Sequence, residues 1–241
     1  MKNKFLVIVF TLFFSKNLFA DKLEIQAKNI SIEKNNKIST FEGEVLVKTD
    51  DGNLITSDFA KYNKEKGFIE LRKNVVAKDK KNNIIKSNYA EYDEKTKILQ
   101  TIGPTVINTS ENYLIEGSDI LFDNNSKFIR SNKKTIIEDI DKNKIFLENF
   151  EYLINTNIFK SIGLIDIKDN LNNTYQFSQI YIDTKKKEIL GTDIKLNLNT
   201  EDFKINKDNK PRILANTIKI NEDKKSFGKS IFTICDYRPN D

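Results

Sequence analysis

The chain has 241 residues, with 40 basic and 35 acidic side chains, a single Cys, and neither His nor Trp. Without His the commonest general base and metal ligand is missing, so catalysis or metal binding would depend on carboxylates. The basic residues are nearly all Lys and are interspersed with acidic ones, which favours a solvated surface over a nucleic-acid partner.

The first twenty residues predict a secretory signal. Lys2 and Lys4 precede an apolar stretch from Phe5 to Phe14, and a Leu-Phe-Ala sequence then ends at Ala20. This layout is typical of a signal cleaved after residue 20. The alternative is an uncleaved membrane anchor, but the apolar stretch is shorter than the roughly twenty residues that a spanning helix needs. Cleavage would leave a net charge of +2, from 37 basic and 35 acidic residues.

After this segment, similar short sequence motifs recur about every thirty residues. The first column comprises Asp58–Tyr62, Asn88–Tyr92 and Ser118–Phe122. A second comprises Gly43–Val47, Lys73–Ala77, Gly103–Ile107 and Lys133–Ile137, and a third comprises Gly52–Ile55, Asn82–Ile85, Asn112–Ile115 and Asn143–Phe146. Such a fixed period predicts one supersecondary unit stacked repeatedly, because a single unit cannot bury its own apolar face.

The units are predicted to consist of strands. Apolar residues alternate with polar ones, as in Ala90 and Tyr92, which is the two-residue period of a half-buried strand. Polar turns such as 63–67 separate the runs. Each unit should then hold about three short strands. The register is predicted to loosen after Phe122, with Ile154, Ile182 and Ile220 continuing the column. We expect six to seven units in a repeat domain over residues 21–234 and a linker stub over 235–241.

Few residues suggest catalysis or a cofactor. Asp139–Asn143 mimics the start of a calcium loop, but the sixth position is Lys144 instead of Gly and the twelfth is Phe150 instead of Glu. The other carboxylates are scattered over turns. We therefore expect a protein that is not an enzyme and has no metal site and no cofactor.

Cys235 follows the last predicted strand, in a chain that carries an export signal. In an oxidising compartment three fates are open to it: an idle or buried thiol, an intermolecular disulfide, or a disulfide with a partner in a further segment. The residues themselves do not favour one of the three.

The repeats, and above all Phe41–Val47 with its sequence F-E-G-E-V-L-V, resemble the OstA-type domain of the lipopolysaccharide-transport proteins of Gram-negative bacteria. The resemblance covers about residues 22–234. It implies an open β-jellyroll, built from stacked antiparallel repeats of about thirty residues, with an apolar groove inside. It also implies lipopolysaccharide as a ligand and a location in the periplasm, associated with the outer membrane.

Within that family, the end of the chain is most like the periplasmic N-terminal domain of the outer-membrane assembly protein. The free-standing periplasmic bridge protein is the second choice. The first choice implies that Cys235 forms a disulfide with a following barrel, and that the barrel and its lipoprotein partner bind the chain if it is a fragment. The family also implies that other OstA-type proteins pair with its edge strands.

The expected function is lipopolysaccharide transport, with acyl chains bound in the groove and passed along. The alternative is a structural β-solenoid that assembles edge to edge without lipid; a carbohydrate-active β-helix enzyme is a weaker third, since no carboxylate cluster interrupts the repeat. The predicted groove residues are Ile30, Ile32, Val45, Val47, Ala60, Tyr62, Val75, Ala90, Tyr92, Ile107, Ile120 and Phe122. Their alternation fits a closed, dry core equally well.

Overall fold

The computed structural model describes residues 23–33, 37–199 and 211–234. Every regular element in these ranges is a β-strand, which confirms the all-β prediction. The described residues include no helix of the length and apolarity that a membrane span requires. The predicted signal, Cys235 and the linker stub lie outside these ranges, and the predictions about them stay predictions.

Nineteen strands are present in the described residues. They are β1 (Glu24–Gln26), β2 (Asn29–Ile32), β3 (Ile38–Lys48), β4 (Leu54–Asn63), β5 (Phe68–Lys78), β6 (Ile84–Asp93), β7 (Ile98–Thr101), β8 (Pro104–Asn108), β9 (Leu114–Ser118), β10 (Leu121–Asp123), β11 (Phe128–Ser131), β12 (Thr135–Glu138), β13 (Lys144–Leu147), β14 (Phe150–Leu153), β15 (Ile158–Lys168), β16 (Thr174–Asp183), β17 (Glu188–Asn197), β18 (Arg212–Ile220) and β19 (Lys225–Thr233). Every pairing between them is antiparallel.

The pairings divide the strands into two layers. The early half of β3 pairs with β2 and its late half with β1, and β6 likewise pairs with both β7 and β8. We call the layer of β2, β7, β10, β11 and β14 layer A, and that of β1, β8, β9, β12 and β13 layer B. The long strands β3–β6 and β15–β19 contribute one half to each. One sheet is therefore folded along its middle, with both layers packed on a shared core.

Bulges produce the fold line. The register of β3 against β4 shifts between Glu42 and Val45, where Gly43 and Glu44 have φ of 75° and 49°. The next unit repeats the shift at Lys73 and Asn74, with φ of 60° and 50°. A bulge bends its strand and increases the local twist. Because non-glycine residues pay a steric penalty at positive φ, the recurrence of this conformation at the fold line indicates that the bend is needed there.

The thirty-residue period persists further than the sequence analysis expected. The turns of layer B occupy residues 49–53, 79–83, 109–113, 139–143 and 169–173. In layer A, the inward column continues from Phe122 to Tyr152 and Ile182, at intervals of thirty. The prediction that the register loosens after Phe122, with Ile154 as the next residue of the column, is therefore wrong. The unit also differs from the predicted three short strands: it is a pair of long strands, bent or broken at the fold line.

Buried or half-buried asparagines connect the stacked turns of layer B. Asn83 Nδ2 donates to Asp79 Oδ2 over 2.7 Å, and its Oδ1 accepts from the backbone N–H of Ser110, in the next turn, over 3.0 Å. Asn143 and Asn173 make the same two bonds two and three units further on. The string at 139–143 that mimics a calcium loop is thus one of these turns, with its Asp carboxylate bound to its own Asn.

Replacing Asn83 with Ala should lower the free energy of unfolding by about 1–3 kcal/mol, because the N–H of Ser110 and the carboxylate of Asp79 would lose a buried partner. Urea denaturation measures this change. Asn170→Ala is the matched control, since Asn170 is exposed in an equivalent turn. Equal losses in both variants would contradict a specific role for the stacked asparagines.

Candidate functional site

Two rows of inward side chains run through the whole array. Directly opposed residues of antiparallel strands lie on the same face, so the pairings trace each row from strand to strand. The row of layer B comprises Ile25, Val47, Ile55, Ala77, Ile85, Ile107, Ile115, Ile137, Ile145, Ile167, Tyr175, Leu196, Ile213 and Phe232. The row of layer A comprises Tyr62, Ile69, Tyr92, Leu99, Phe122, Ile129, Tyr152, Phe159, Ile182, Ile189, Ile220 and, last, Lys225.

The predicted groove residues occupy the interior or its N-terminal end. Nine are buried: Val45, Val47, Ala60, Val75, Ala90, Tyr92, Ile107, Ile120 and Phe122. Tyr62 is partly buried, and its hydroxyl donates to Glu94 over 2.9 Å. Burial and that bond raise its pKa to about 12. Contact of these residues with lipid stays a prediction.

Ile30 and Ile32 mark an open N-terminal end. They pair directly with Phe41 and Ser39, which places them on the inward face of β2. Even so, they are 54% and 61% exposed, because β2 is the last strand of layer A at this end. Phe232 has the same position at the C-terminal end: it faces inward opposite Ile213 and is 60% exposed.

The interior of the N-terminal units is filled. Between the layers, around Ile55, Ile85 and Leu99, one cavity measures about 10 Å³; a separate cavity of about 160 Å³ lies among the turns on the open side, next to Phe122 and Lys81. The first cavity decides how full the interior is, and it is at most the space of one water. In the structure described here, this part of the interior is a dry core.

Polar contacts join the two layers on the side opposite the fold line. Lys97 Nζ lies 2.5 Å from Asp50 Oδ2, with both side chains about three-quarters buried. Lys81 Nζ donates to the backbone carbonyl of Ile154 over 2.5 Å. Further along, the Tyr152 hydroxyl donates to Glu111 over 3.1 Å. This side is therefore held by a few side-chain contacts, whereas the fold-line side is held by continuous backbone.

A buried aromatic cluster fills the middle of the interior. Phe159 stacks on Tyr152 with ring centroids 4.4 Å apart, and it also contacts Tyr113 at 6.1 Å and Phe150 at 6.0 Å. Burial, followed by the charge of Asp139, raises the pKa of Tyr113 to about 12, so it stays a neutral packing group at physiological pH. We call these four residues the aromatic cluster.

Beyond the aromatic cluster a cavity of about 260 Å³ opens between the layers. Its walls are apolar and its rim is charged. The lining residues are Tyr113, Asp139, Ile140, Asp141, Asn143, Ile145, Ile167, Asp169, Asn170, Leu171, Tyr175, Ile182, Lys187, Ile189, Ile220, Asn221, Glu222 and Lys225. We call this space the C-terminal chamber.

Lys225 lies at the rim of the chamber, where the layer A row ends. Its Nζ is 3.5 Å from Asp169 Oδ2, contacts the Tyr175 hydroxyl and lies 5.0 Å from the centroid of the Tyr175 ring. Burial raises the pKa of the Asp169 carboxyl, but hydrogen bonds from Asn173 and Tyr175 outweigh it and hold the pKa below its usual value. Asp169 therefore stays ionised beside the lysine.

The aromatic cluster and the chamber were not predicted from the sequence. Both lie largely beyond Phe122, where the column was followed through Ile154 instead of Tyr152. Adding thirty to Phe122 and then to Tyr152 would have found the correct column. The aromatic residues of the cluster, by contrast, are distributed over both layers and meet only because the sheet is folded.

Residues 20–129 match the model of a family described as "Lipopolysaccharide-assembly, LptC-related". No curated protein matches the chain. One similar solved structure is that of LptH, "the LptA homologous periplasmic component of the conserved lipopolysaccharide transport device from Pseudomonas aeruginosa". It is 12% identical, over 71% of this chain and 82% of that chain, with a TM-score of 0.21.

The family match confirms the resemblance to the lipopolysaccharide-transport proteins for residues 20–129. It does not single out the outer-membrane assembly protein or the free-standing bridge protein.

Replacing Phe159 with Ala should lower the free energy of unfolding by about 3–5 kcal/mol, because three ring contacts are lost and a cavity remains in a dry core. Phe146→Ala is the control: this ring is 40% exposed and should cost far less. Urea denaturation of both variants makes the comparison. Similar losses would show that the cluster adds nothing to stability beyond ordinary surface packing.

Proposed function

From the match of residues 20–129 to the model of the lipopolysaccharide-assembly, LptC-related family, we propose that the chain carries lipopolysaccharide through the periplasm toward the outer membrane. In this proposal the acyl chains lie between layers A and B and pass from unit to unit. The protein acts as a conduit and not as an enzyme.

The observation that carries the proposal is the pair of apolar rows, which continue across the array and are uncovered at both ends. Ile32 at one end and Phe232 at the other expose inward-facing apolar surface. A hydrocarbon chain entering at either end would meet a similar lining every thirty residues. Burial of each CH₂ contributes about 0.8 kcal/mol, and similar sites in series let a chain advance without a deep minimum.

Because the interior of the N-terminal units is filled, lipid can enter only if the layers part. The structure supports opening on the side opposite the fold line, where Lys97–Asp50 and Lys81–Ile154 are side-chain contacts. The first is a mostly buried ion pair and the second is a hydrogen bond from a charged donor, and such hydrogen bonds contribute about 1.5–3 kcal/mol each. Burial of roughly four to eight methylenes would offset the loss of both.

The partners in this proposal meet the edges of the sheet. Among the described strands, β2 pairs only with β3 and β19 only with β18, so each keeps one side unpaired. Unpaired edge groups favour the addition of a further strand. We propose that other OstA-type transport proteins pair there. A disulfide from Cys235 to an outer-membrane barrel, and contact with its lipoprotein partner, belong to the same proposal.

A second candidate is a structural module that assembles edge to edge without lipid. The nearly full N-terminal interior, with its cavity of about 10 Å³, favours it. Under this alternative the inward rows serve stability alone, and the layers never part.

Photo-crosslinking separates the two candidates. A benzoylphenylalanine at Ile32 or at Phe232 should capture lipopolysaccharide, because both positions face inward and are accessible. The neighbouring positions Ser31 and Ile231 are matched controls: they lie on the outward faces of the same strands, and Ile231 is 66% exposed. Equal capture by inward and outward positions, or no capture by either, would exclude a conduit between the layers.

Edge pairing has a separate test. Replacing Ile30 or Ile32 with Pro should abolish complex formation with another OstA-type protein, because Pro removes a backbone donor from the edge strand. Size-exclusion chromatography of the mixed proteins measures the complex. Ile231→Pro tests the opposite edge, β19, in the same way, and circular dichroism of each variant controls for general loss of structure. Complexes that persist with all three variants would contradict edge pairing.

A further inference from the structure

The C-terminal chamber lies almost entirely outside the residues that match the family. Its apolar walls include Ile145 and Ile167 from layer B and Ile182 and Ile189 from layer A, all beyond residue 129. Only Tyr113, which belongs to the aromatic cluster, comes from the matched part. The aromatic cluster separates the chamber from the filled N-terminal interior.

The cause of the chamber is a change of side-chain size along the layer A row. From Tyr92 to Phe159 this row includes four aromatic residues, which fill the space between the layers. After Phe159 the row continues with Ile182, Ile189 and Ile220. Smaller side chains at the same spacing leave a gap that the facing layer does not fill, and lining atoms on a gap lose dispersion contacts.

The layer B turns at the mouth of the chamber also differ from the corresponding turns of the earlier units. The second residue of the layer B turns is Asp50, Lys80 and Ser110 in the first three units, but Ile140 at the chamber. The third residue is acidic or basic in the first four turns but becomes Leu171 in the fifth. Ile140 and Leu171 are 42% and 58% exposed. Apolar side chains therefore stand at the entrance only where a cavity lies behind it.

The charges on the rim do not balance. Lys187 contacts Glu222 and Lys225 contacts Asp169, so each cation has an acidic partner. The rim also holds Asp139 and Asp141, and within the described part of the chain neither has a cation within ion-pair distance. The described rim thus carries two net negative charges.

We propose that the C-terminal chamber binds one unbranched hydrocarbon chain whose head group is uncharged or positively charged. Its volume of about 260 Å³ lies below the range of about 300–1,000 Å³ that is typical of pockets for larger ligands, which favours one chain. The isoleucine walls take the chain, Ile140 and Leu171 contact it at the entrance, and the acidic rim disfavours an anionic head. The proposal rests on the proposed function only in placing hydrocarbon between the layers.

The test is calorimetric titration of the mature full-length protein, at low salt, with three probes below their micelle concentrations: dodecyltrimethylammonium, dodecyl maltoside and dodecanoate. We expect one site per chain, with dodecyltrimethylammonium and the maltoside bound at least about threefold more tightly than dodecanoate. Tightest binding of dodecanoate, or no saturable binding of any probe, would overturn the proposal.

Variants locate the site. Ile189→Trp fills the chamber and should weaken all three probes about tenfold, the effect of losing burial for roughly two methylenes. Leu190→Trp is the matched control, because Leu190 is the adjacent residue on the outward face and is 42% exposed. If Ile189→Trp does not fold, Ile140→Ser combined with Leu171→Ser tests the entrance instead, with the exposed outer residue Leu164→Ser as control. Unchanged binding in the chamber variants would overturn the proposal.

The head-group preference has its own variant. Asp141→Lys cancels the net charge of the rim and should abolish the preference for the cationic probe, whereas Asp166→Lys, on an exposed outer position, should preserve it. The experiments distinguish failure of the chamber proposal from failure of the conduit proposal. Capture of lipopolysaccharide at Ile32 with no binding of the dodecyl probes contradicts the chamber alone, and the reverse result contradicts the conduit alone.

Discussion

The in-register pairing of inward side chains across a folded sheet is the interaction on which the rest of this structure depends. Each short strand contributes inward residues to its own layer and each long strand contributes to both, and the antiparallel pairing aligns these residues into two rows across the array. A slip of one residue would turn a whole strand's apolar set to solvent. The thirty-residue period, the bulges at the fold line and the turn asparagines all keep this register.

The bulges and the turns together explain an unusual feature of the chain, the many non-glycine residues at positive φ. Glu44, Lys73 and Asn74 adopt it at the fold line, and Lys97 and Lys127 adopt it in the layer A turns, thirty residues apart. Such conformations persist only where the surroundings require them. Here they allow one continuous chain to build two facing layers, so that its apolar rows cover each other and need no second domain.

Stability requires the two layers to stay packed together, whereas the proposed transport requires them to part. The backbone itself crosses the fold line and joins the layers there, whereas in the described residues only side-chain contacts such as Lys97–Asp50 span the other side. The layers are thus joined strongly on one side and weakly on the other. Where the rows are aromatic, as at Tyr152 and Phe159, the interior is closed; where they become isoleucine, a chamber remains.

Much of the fold could be predicted from the sequence, because strand alternation and a fixed period are local signals. Residues such as Val47, Ala90 and Phe122 were predicted to face inward, and they do. The fold line was harder to predict, because Lys73 and Asn74 do not look like bulge residues. The aromatic cluster and the chamber depend on which residues of the two layers face each other, and this is decided by long-range pairing that periodicity within one strand does not contain.

The central claim is that the two layers part to admit hydrocarbon. It is tested most directly by the distance between spin labels on Lys80 and Lys95, exposed turn residues of layers B and A on the side opposite the fold line. Double electron–electron resonance with and without lipopolysaccharide gives this distance. The account predicts that lipopolysaccharide lengthens it or broadens its distribution. Bound lipopolysaccharide with an unchanged distance would contradict the claim.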